Sequence, residues 1–263
     1  MCFKQEDDDL TYERRNYTKE AAQKKKLFLW VNHKFKPTLP NEVCAGCSEP
    51  LNKKGRFCYY SGKNYCSNCH INDKALIPAK IVQDWDHQSY YVCKEAYRII
   101  TLHAKDPIIN LELECPLLYQ KLFTLKKIKE LREQAVVIAV FLRSCKNALT
   151  LLNYVRNCLH LMDSVHIYSL HDLHEVKRSH LAPKLSRHIR TCLEHITKDC
   201  ESCKGKGFYC ELCKSPELLF SFEINKITKC DTCKMVFHST CAEKHGLNAA
   251  YFRTFNPACP RCL

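Results

Sequence analysis

Apolar residues recur at helical spacing through the middle of the chain. Leu118, Leu122, Leu125, Ile128 and Leu131 advance by four, three, three and three positions and line one face of a helix. Lys121, Lys126, Lys127 and Lys129 occupy its other faces. The run AVVIAVFL at 135–142 is apolar on every side, the pattern of a fully buried turn or two. Cys145, Leu149, Leu152, Val155 and Leu159 continue as a second stripe. HDLHEV reads as a loop, and SHLAPKLSRHIRTCLEHI as a further helix with Pro183 near its first turn. Near the start, KEAAQKKKLFLWVNHKFKP predicts a helix running into an extended segment that ends at Pro37 and Pro40. These stripes predict a packed helical core. On both sides of it the periodicity gives out and cysteines take over.

Cysteine is the compositional outlier, with 20 among 263 residues. A chain of this length with 46% hydrophobic residues can bury a core and needs no disulfide framework to fold. Residues 1–10 are acidic rather than apolar, so no secretory leader is read there, and the longest apolar run is too short to span a bilayer. The expectation is a cytosolic or nuclear chain whose paired cysteines bind metal. In the first cysteine-rich stretch, Cys44/Cys47 and Cys66/Cys69 form two C-x2-C knuckles separated by eighteen residues. Together they supply the four sulfurs of a tetrahedral zinc site. Cys58 and His70 are candidates for a second ion, or His70 for an outer-shell role. Cys93, Cys115, Cys145 and Cys158 stand alone in apolar surroundings and read as buried thiols. His160, His166, His171, His174 and His180 show no ligand spacing.

The second cysteine-rich stretch contains Cys210/Cys213, Cys230/Cys233, His238/Cys241 and Cys259/Cys262. Eight ligands in four pairs suit a cross-brace. Cys210, Cys213, His238 and Cys241 would hold one ion, and Cys230, Cys233, Cys259 and Cys262 the other; serial pairing is the alternative. Just upstream, Cys200 and Cys203 form another knuckle and His195 lies within reach. Cys192 is a candidate fourth ligand, as are Cys58 and His70, which would clamp the two ends of the chain together. Three to four structural zinc ions are expected. The fold class that follows is mainly α with small zinc-stabilised β modules: a helical middle bracketed by an N-terminal ribbon-like module and a C-terminal cross-brace finger of PHD/FYVE type. The expected segments are an N-terminal extension at 1–40, a first metal module at 41–75, the helical middle at 76–199 and the C-terminal metal modules at 200–263.

The formal charge of +13 counts every thiol as neutral. Zinc binds thiolate, so two four-cysteine sites and one of three cysteines and a histidine would lower it to about +8. The surface stays basic, which suits an acidic protein, a phospholipid headgroup or nucleic acid.

The motifs CAGC, GRFCYYSGKNYCSNCH, IPAKIVQDWDHQSYYVC, DPIINL, HIYSLHDL and KGFYCELC resemble the Rubicon-homology domain of autophagy regulators, from about residue 44 to the C-terminus. On that resemblance 41–263 form one domain. Larger members carry other modules ahead of it, so the chain is expected to be a fragment or a short form. The resemblance implies a non-enzymatic adaptor. It would bind a late-endosomal Rab GTPase in its GTP state and act with the class III phosphatidylinositol 3-kinase complex. It would be cytoplasmic and peripheral on autophagosome and late-endosome membranes.

The cross-brace also has rival readings. A PHD finger would place an aromatic where Pro257 stands, and a RING-type ubiquitin ligase would have an apolar residue where Lys214 stands. A FYVE finger would carry a basic ligand loop, whereas CKMVFHSTC has only Lys234. Direct binding to a phosphoinositide membrane is the alternative kept beside the adaptor. No nucleic-acid-reading motif is present. Neither a nucleophile–base pair nor a phosphate-cradling glycine loop is visible, so no enzyme is expected.

Overall fold

The computed structural model describes residues 43–51, 55–223, 225–230, 232–246 and 259–262. The helix expected within 1–40 lies outside them. About half of the described residues are helical, and the strands form five two-stranded antiparallel sheets. No single described helix is long and apolar enough to cross a membrane. The chain divides into two compact units, each built from two separated stretches: Met1–Leu125 with His166–Leu181, and Lys126–Val165 with Ala182–Leu263.

The first unit begins with a hairpin. Strand β1 (Arg56–Cys58) pairs with β2 (Lys63–Tyr65), and Gly62 makes the turn with φ of 69°. Strand β3 (Asp73–Leu76) pairs with β4 (Ser89–Val92), the connection carrying helix α1 (Pro78–Asp84). Pro78 opens α1 with its fixed φ, and Trp85 closes it in the left-handed region. Helix α2 (Lys94–His103) follows, then β5 (Ile109–Asn110) and the short helices α3 (Leu111–Glu114) and α4 (Leu117–Lys121). The Asn110 carboxamide oxygen accepts from the Glu112 and Leu113 N–H groups and so caps α3. Ile77, Ile81, Val92, Ile109, Leu111 and Leu173 form the unit's fully buried apolar centre.

The unit closes with β6 (Ile167–Tyr168), which pairs with β5, and helix α8 (Leu170–Lys177). This helix occupies the segment expected to be a loop. Its start is a capping box: Ser169 Oγ accepts from the Asp172 N–H at 3.0 Å, and Asp172 Oδ2 accepts from the Ser169 N–H at 2.8 Å.

The second unit takes most of helix α5 (Phe123–Arg143). The stripe expected to be continuous from Leu118 to Leu131 is interrupted where α4 ends at an extended Leu122. Leu118, Leu125 and Ile128 are nevertheless all buried. The run 135–142 is not buried all round: Ile138 and Leu142 are fully covered, but Val140 is 61% exposed. A cation interrupts the apolar face. Arg132 is fully buried; its Nε donates to the Leu161 carbonyl at 3.1 Å and its Nη2 to those of His160 and Ser164. These bonds tie the guanidinium to α7 (Leu159–Asp163).

The second stripe, from Cys145 to Leu159, falls on two short helices. α6 (Leu149–Tyr154) and α7 are separated and preceded by single 3-10 turns at Lys146–Ala148 and Arg156–Cys158. Helix α9 (Leu181–Glu194) buries Leu181, Leu185, Ile189 and Cys192 along one face. It then widens into a π-helical turn at His195–Asp199 before α10 (Glu201–Lys204). The remainder is small: hairpins β7 (Phe208–Tyr209) with β8 (Leu218–Leu219) and β9 (Ile227–Lys229) with β10 (Val236–His238), then α11 (Ser239–Lys244). Val236, Phe237, Leu219 and Ala242 pack with Cys210, Cys230 and Cys259.

Candidate metal centres

Five of the C-x2-C knuckles are built the same way. The residue four places after the first cysteine donates its N–H back to that cysteine's carbonyl: Ser48 to Cys44 at 2.8 Å, His70 to Cys66 at 3.0 Å, Lys204 to Cys200 at 3.0 Å, Lys214 to Cys210 at 2.9 Å and Lys234 to Cys230 at 2.9 Å. The loop turns both sulfurs to the same side. At three of these positions the closing residue, Ser48, Lys214 or Lys234, has φ between 53° and 63°. That left-handed backbone is strained for any residue with a Cβ.

These knuckles assemble into four sets, and within each set the four donor atoms all lie within 4.8 Å of one another. They are Cys44, Cys47, Cys66 and Cys69; Cys145, His195, Cys200 and Cys203; Cys210, Cys213, His238 and Cys241; and Cys230, Cys233, Cys259 and Cys262. The last two interleave along the chain rather than following in series.

The spacing within the sets discriminates between chemistries. Four sulfurs held about 2.3 Å from a tetrahedral zinc stand roughly 3.8 Å apart, whereas a disulfide brings two sulfurs to about 2.05 Å. Cys47 and Cys66 are 3.7 Å apart, Cys230 and Cys262 3.7 Å, Cys233 and Cys259 3.6 Å, and Cys145 and Cys200 3.6 Å. The histidines fit the same scale. His238 presents Nδ1 to Cys213 at 3.4 Å and to Cys241 at 3.8 Å; His195 presents Nε2 to Cys145 at 3.6 Å. On the far side of its ring, His238 Nε2 lies 3.8 Å from a Glu217 carboxylate oxygen, the position from which a carboxylate orients a metal-binding imidazole. The residues present fit a tetrahedral divalent cation at all four sets.

Thiol electrostatics fit it too. In the first set burial works against ionisation of Cys44, but N–H groups of Cys66, Cys47 and Gly46 outweigh it and bring its pKa down to about 6. Burial and the three neighbouring thiols push Cys69 up to about 12. The same division recurs between Cys230, brought down to about 7 by N–H groups that overcome its burial, and Cys262, pushed up to about 12 by Cys233 and by burial. In each pair one thiol is favoured as thiolate and the other is held neutral beside its neighbours; a divalent cation removes that conflict. Gly46 packs tightly enough on this set that a Cβ there would lie 3.0 Å from Cys69 Sγ.

The remaining sequence candidates lie elsewhere. Cys192 faces the core of its own unit, fully buried, and burial alone raises its thiol to about 11. The structure brings Cys145 to the position for which Cys192 was a candidate. Cys145 follows the end of α5, where the Ser144 N–H still reaches the Val140 carbonyl. The reading of Cys145 as an isolated buried thiol is therefore corrected. His70 has both ring nitrogens engaged: Nδ1 accepts from the Asn72 N–H at 3.1 Å, and Nε2 lies 3.2 Å from the Phe57 carbonyl. Cys58 pairs with Cys93, whose N–H donates to its sulfur at 3.2 Å; hydrogen bonding to the Cys93 thiol, winning over burial, lowers the Cys58 thiol to about 5. Neither Cys58 nor His70 joins any of the four sets.

The model of the Rubicon Homology Domain matches residues 56–263. The chain belongs to this family. Curated relatives match over most of this chain. Human "Pleckstrin homology domain-containing family M member 3" is 36% identical over 225 residues, covering 84% of this chain and 28% of the relative. Human "Protein associated with UVRAG as autophagy enhancer" is 34% identical over 227 residues, covering 84% of this chain and 32% of the relative, and its Bos taurus counterpart is 35% identical over the same length. The chain thus spans about a third of the length of these relatives. Cys44 and Cys47 precede the family match, yet lie against Cys66 and Cys69 within it.

Proposed function

We propose that this Rubicon homology domain is a zinc-built, non-enzymatic adaptor module of autophagy regulation. It would bind a GTP-loaded late-endosomal Rab GTPase, cooperate with the class III phosphatidylinositol 3-kinase complex, and work from the cytoplasm at autophagosome and late-endosome surfaces. The observation that carries the non-enzymatic part is closure. Every metal set among the described residues already has four protein donors, the arrangement of structural zinc, and none keeps a position for substrate or water. Zinc is the ion best matched by tetrahedral sulfur and imidazole sets. The relatives' names and the family support the autophagy part. A GTPase partner is consistent with a basic chain that holds several loops rigid at modest size.

The test is a pull-down with the purified chain against a panel of Rab proteins loaded with GTP or GDP. The expected result is retention of a late-endosomal Rab in its GTP form only. Equal retention of both forms, or of none, sinks the GTPase reading.

A further inference from the structure

Several surface cations of this chain stand against carboxylates: Arg98 against Glu95 at 2.7 Å, Lys204 against Glu201 at 2.6 Å, Lys226 against Glu223 at 3.2 Å. One face of the second unit is different. Residues 144–162 contain no carboxylate, and neither do residues 182–193, yet together they carry Lys146, Arg156, Lys184, Arg187 and Arg190. All five side chains are exposed, and among the described residues none has an ion-pair partner.

The two stretches meet where Tyr154, at the end of α6, packs edge-on against His188 of α9, with ring centroids 5.2 Å apart. Helix α9 turns Leu185, Ile189 and Cys192 inward. At helical spacing Lys184, Arg187 and His188 share its outward side, and Arg190 lies one turn beyond Arg187. Burial first, then the charges of Lys184 and Arg187, lower the His188 pKa, which places both cations close to the Tyr154–His188 pair. Tyr154 itself stays 54% exposed, and Leu151, one turn earlier on α6, is half-buried. The surface is an aromatic platform among cations drawn from two separate stretches. Like charges one turn apart on a helix repel, and an anion bound across them relieves that repulsion.

We infer that this face docks an acidic linear segment of a partner protein, one that carries an apolar side chain among its carboxylates. Arg187 and Arg190 present planar forks that match carboxylates two hydrogen bonds at a time. Tyr154 receives the apolar side chain, because a rigid aromatic ring offers a large contact area at little entropic cost. A single ring among discrete cations suits a peptide with one apolar anchor; a polyanion without such an anchor gains from the cations alone. This goes beyond the adaptor reading. GTP-dependent retention of a Rab is read in a separate assay, so either can fail alone.

The test is fluorescence anisotropy of the full chain with two synthetic probes of equal charge. One is a labelled peptide of glutamates around a single leucine; in the other, glycine replaces the leucine. Wild type should bind the leucine peptide more tightly, and rising salt should weaken both. Lys184→Glu/Arg187→Glu should weaken both about tenfold, mostly by slowing association, with ion content and circular dichroism unchanged. Tyr154→Ala should weaken the leucine peptide about fivefold and leave the glycine peptide as it was. The exposed pair Lys126→Glu/Lys127→Glu serves as the charge control and should change neither. Equal binding of the two peptides, or an equal loss in the charge control, reduces the surface to unspecific charge and overturns the proposal. Tighter binding of duplex RNA or of phosphatidylserine vesicles through the same cations overturns it as well.

Discussion

Two metal sets in the same unit use similar ligands for different ends. In the cross-brace, Cys213 and His238 are 25 residues apart; in the other set, Cys145 and His195 are 50 apart. Loop length barely separates them, because doubling a closed loop costs only about 0.6 kcal/mol. What differs is the material between the ligands. The cross-brace segment has short hairpins and a small apolar cluster that itself counts metal-site sulfurs among its members. The Cys145 set joins the end of one long helix to the end of another, and both bury residues of their own. A bound ion would thus create structure in one place and fasten existing structure in the other.

The largest effect should come from Cys230→Ser combined with His238→Ala, which takes one ligand from each cross-brace set. Structural zinc is worth about 10–16 kcal/mol of apparent binding free energy in small fingers. Metal analysis should show two ions fewer than wild type, and amide exchange should show residues 210–246 unprotected while helical circular dichroism persists. Loss of one ion, or none, would break the interleaved pairing. Cys145→Ser should remove a single ion and leave both cross-brace ions bound. Cys192→Ser should remove none and cost about 1–2 kcal/mol for burying a hydroxyl. The opposite pattern would return Cys192 to the site.

The helical side of the comparison has its own lever. Arg132→Met leaves carbonyls at the end of α7 without their donor, and should lower unfolding free energy by about 2–4 kcal/mol with ion content unchanged. If the Cys145 ion is lost as well, that set is less independent of its helices than the comparison holds.

A smaller effect separates metal loss from ordinary titration. His87 lies edge-on to Trp85 and 5.8 Å from the ring of His174. Burial, then the charges of His174 and Lys177, lower its pKa to about 4 against a pull from Asp86. The folded chain therefore refuses a proton that the unfolded chain accepts. Stability is complete above the ordinary pKa of 6.5 and is lost as pH falls toward 4. Between about pH 7 and pH 5 the loss should be about 1–2 kcal/mol in denaturant titrations, and His87→Phe should flatten it. A wild-type profile already flat there would exclude this role.

The cross-brace ligands were legible because knuckle cysteines come in pairs, and pairs carry their own geometry. Cys145 was not legible for the same reason. A single cysteine after an apolar helix looks identical whether it joins a set of donors, like Cys145, or faces only hydrocarbon, like Cys192. The available clue was arithmetic: His195, Cys200 and Cys203 make three donors, and tetrahedral sets want four. Which lone cysteine answers depends on tertiary folding. Cys145 itself lies just beyond the end of α5, outside any helix, where it meets its three partners. Helix α8 was missed for a local reason: its eight residues show little periodicity, and the S-x-x-D at Ser169–Asp172 was the stronger signal.

Interleaving also sets a timetable. As the chain is synthesised, the first set is complete at Cys69, the second at Cys203, the third at Cys241 and the fourth only at Cys262. At about 5–20 residues per second, the twenty-one residues 242–262 take roughly 1–4 s. Throughout that interval Cys230 and Cys233 form a ready half-site beside a set that has just closed. The newborn chain passes through a window in which a cation can be captured by the wrong pair of thiolates, and only the arrival of Cys259 and Cys262 ends the competition.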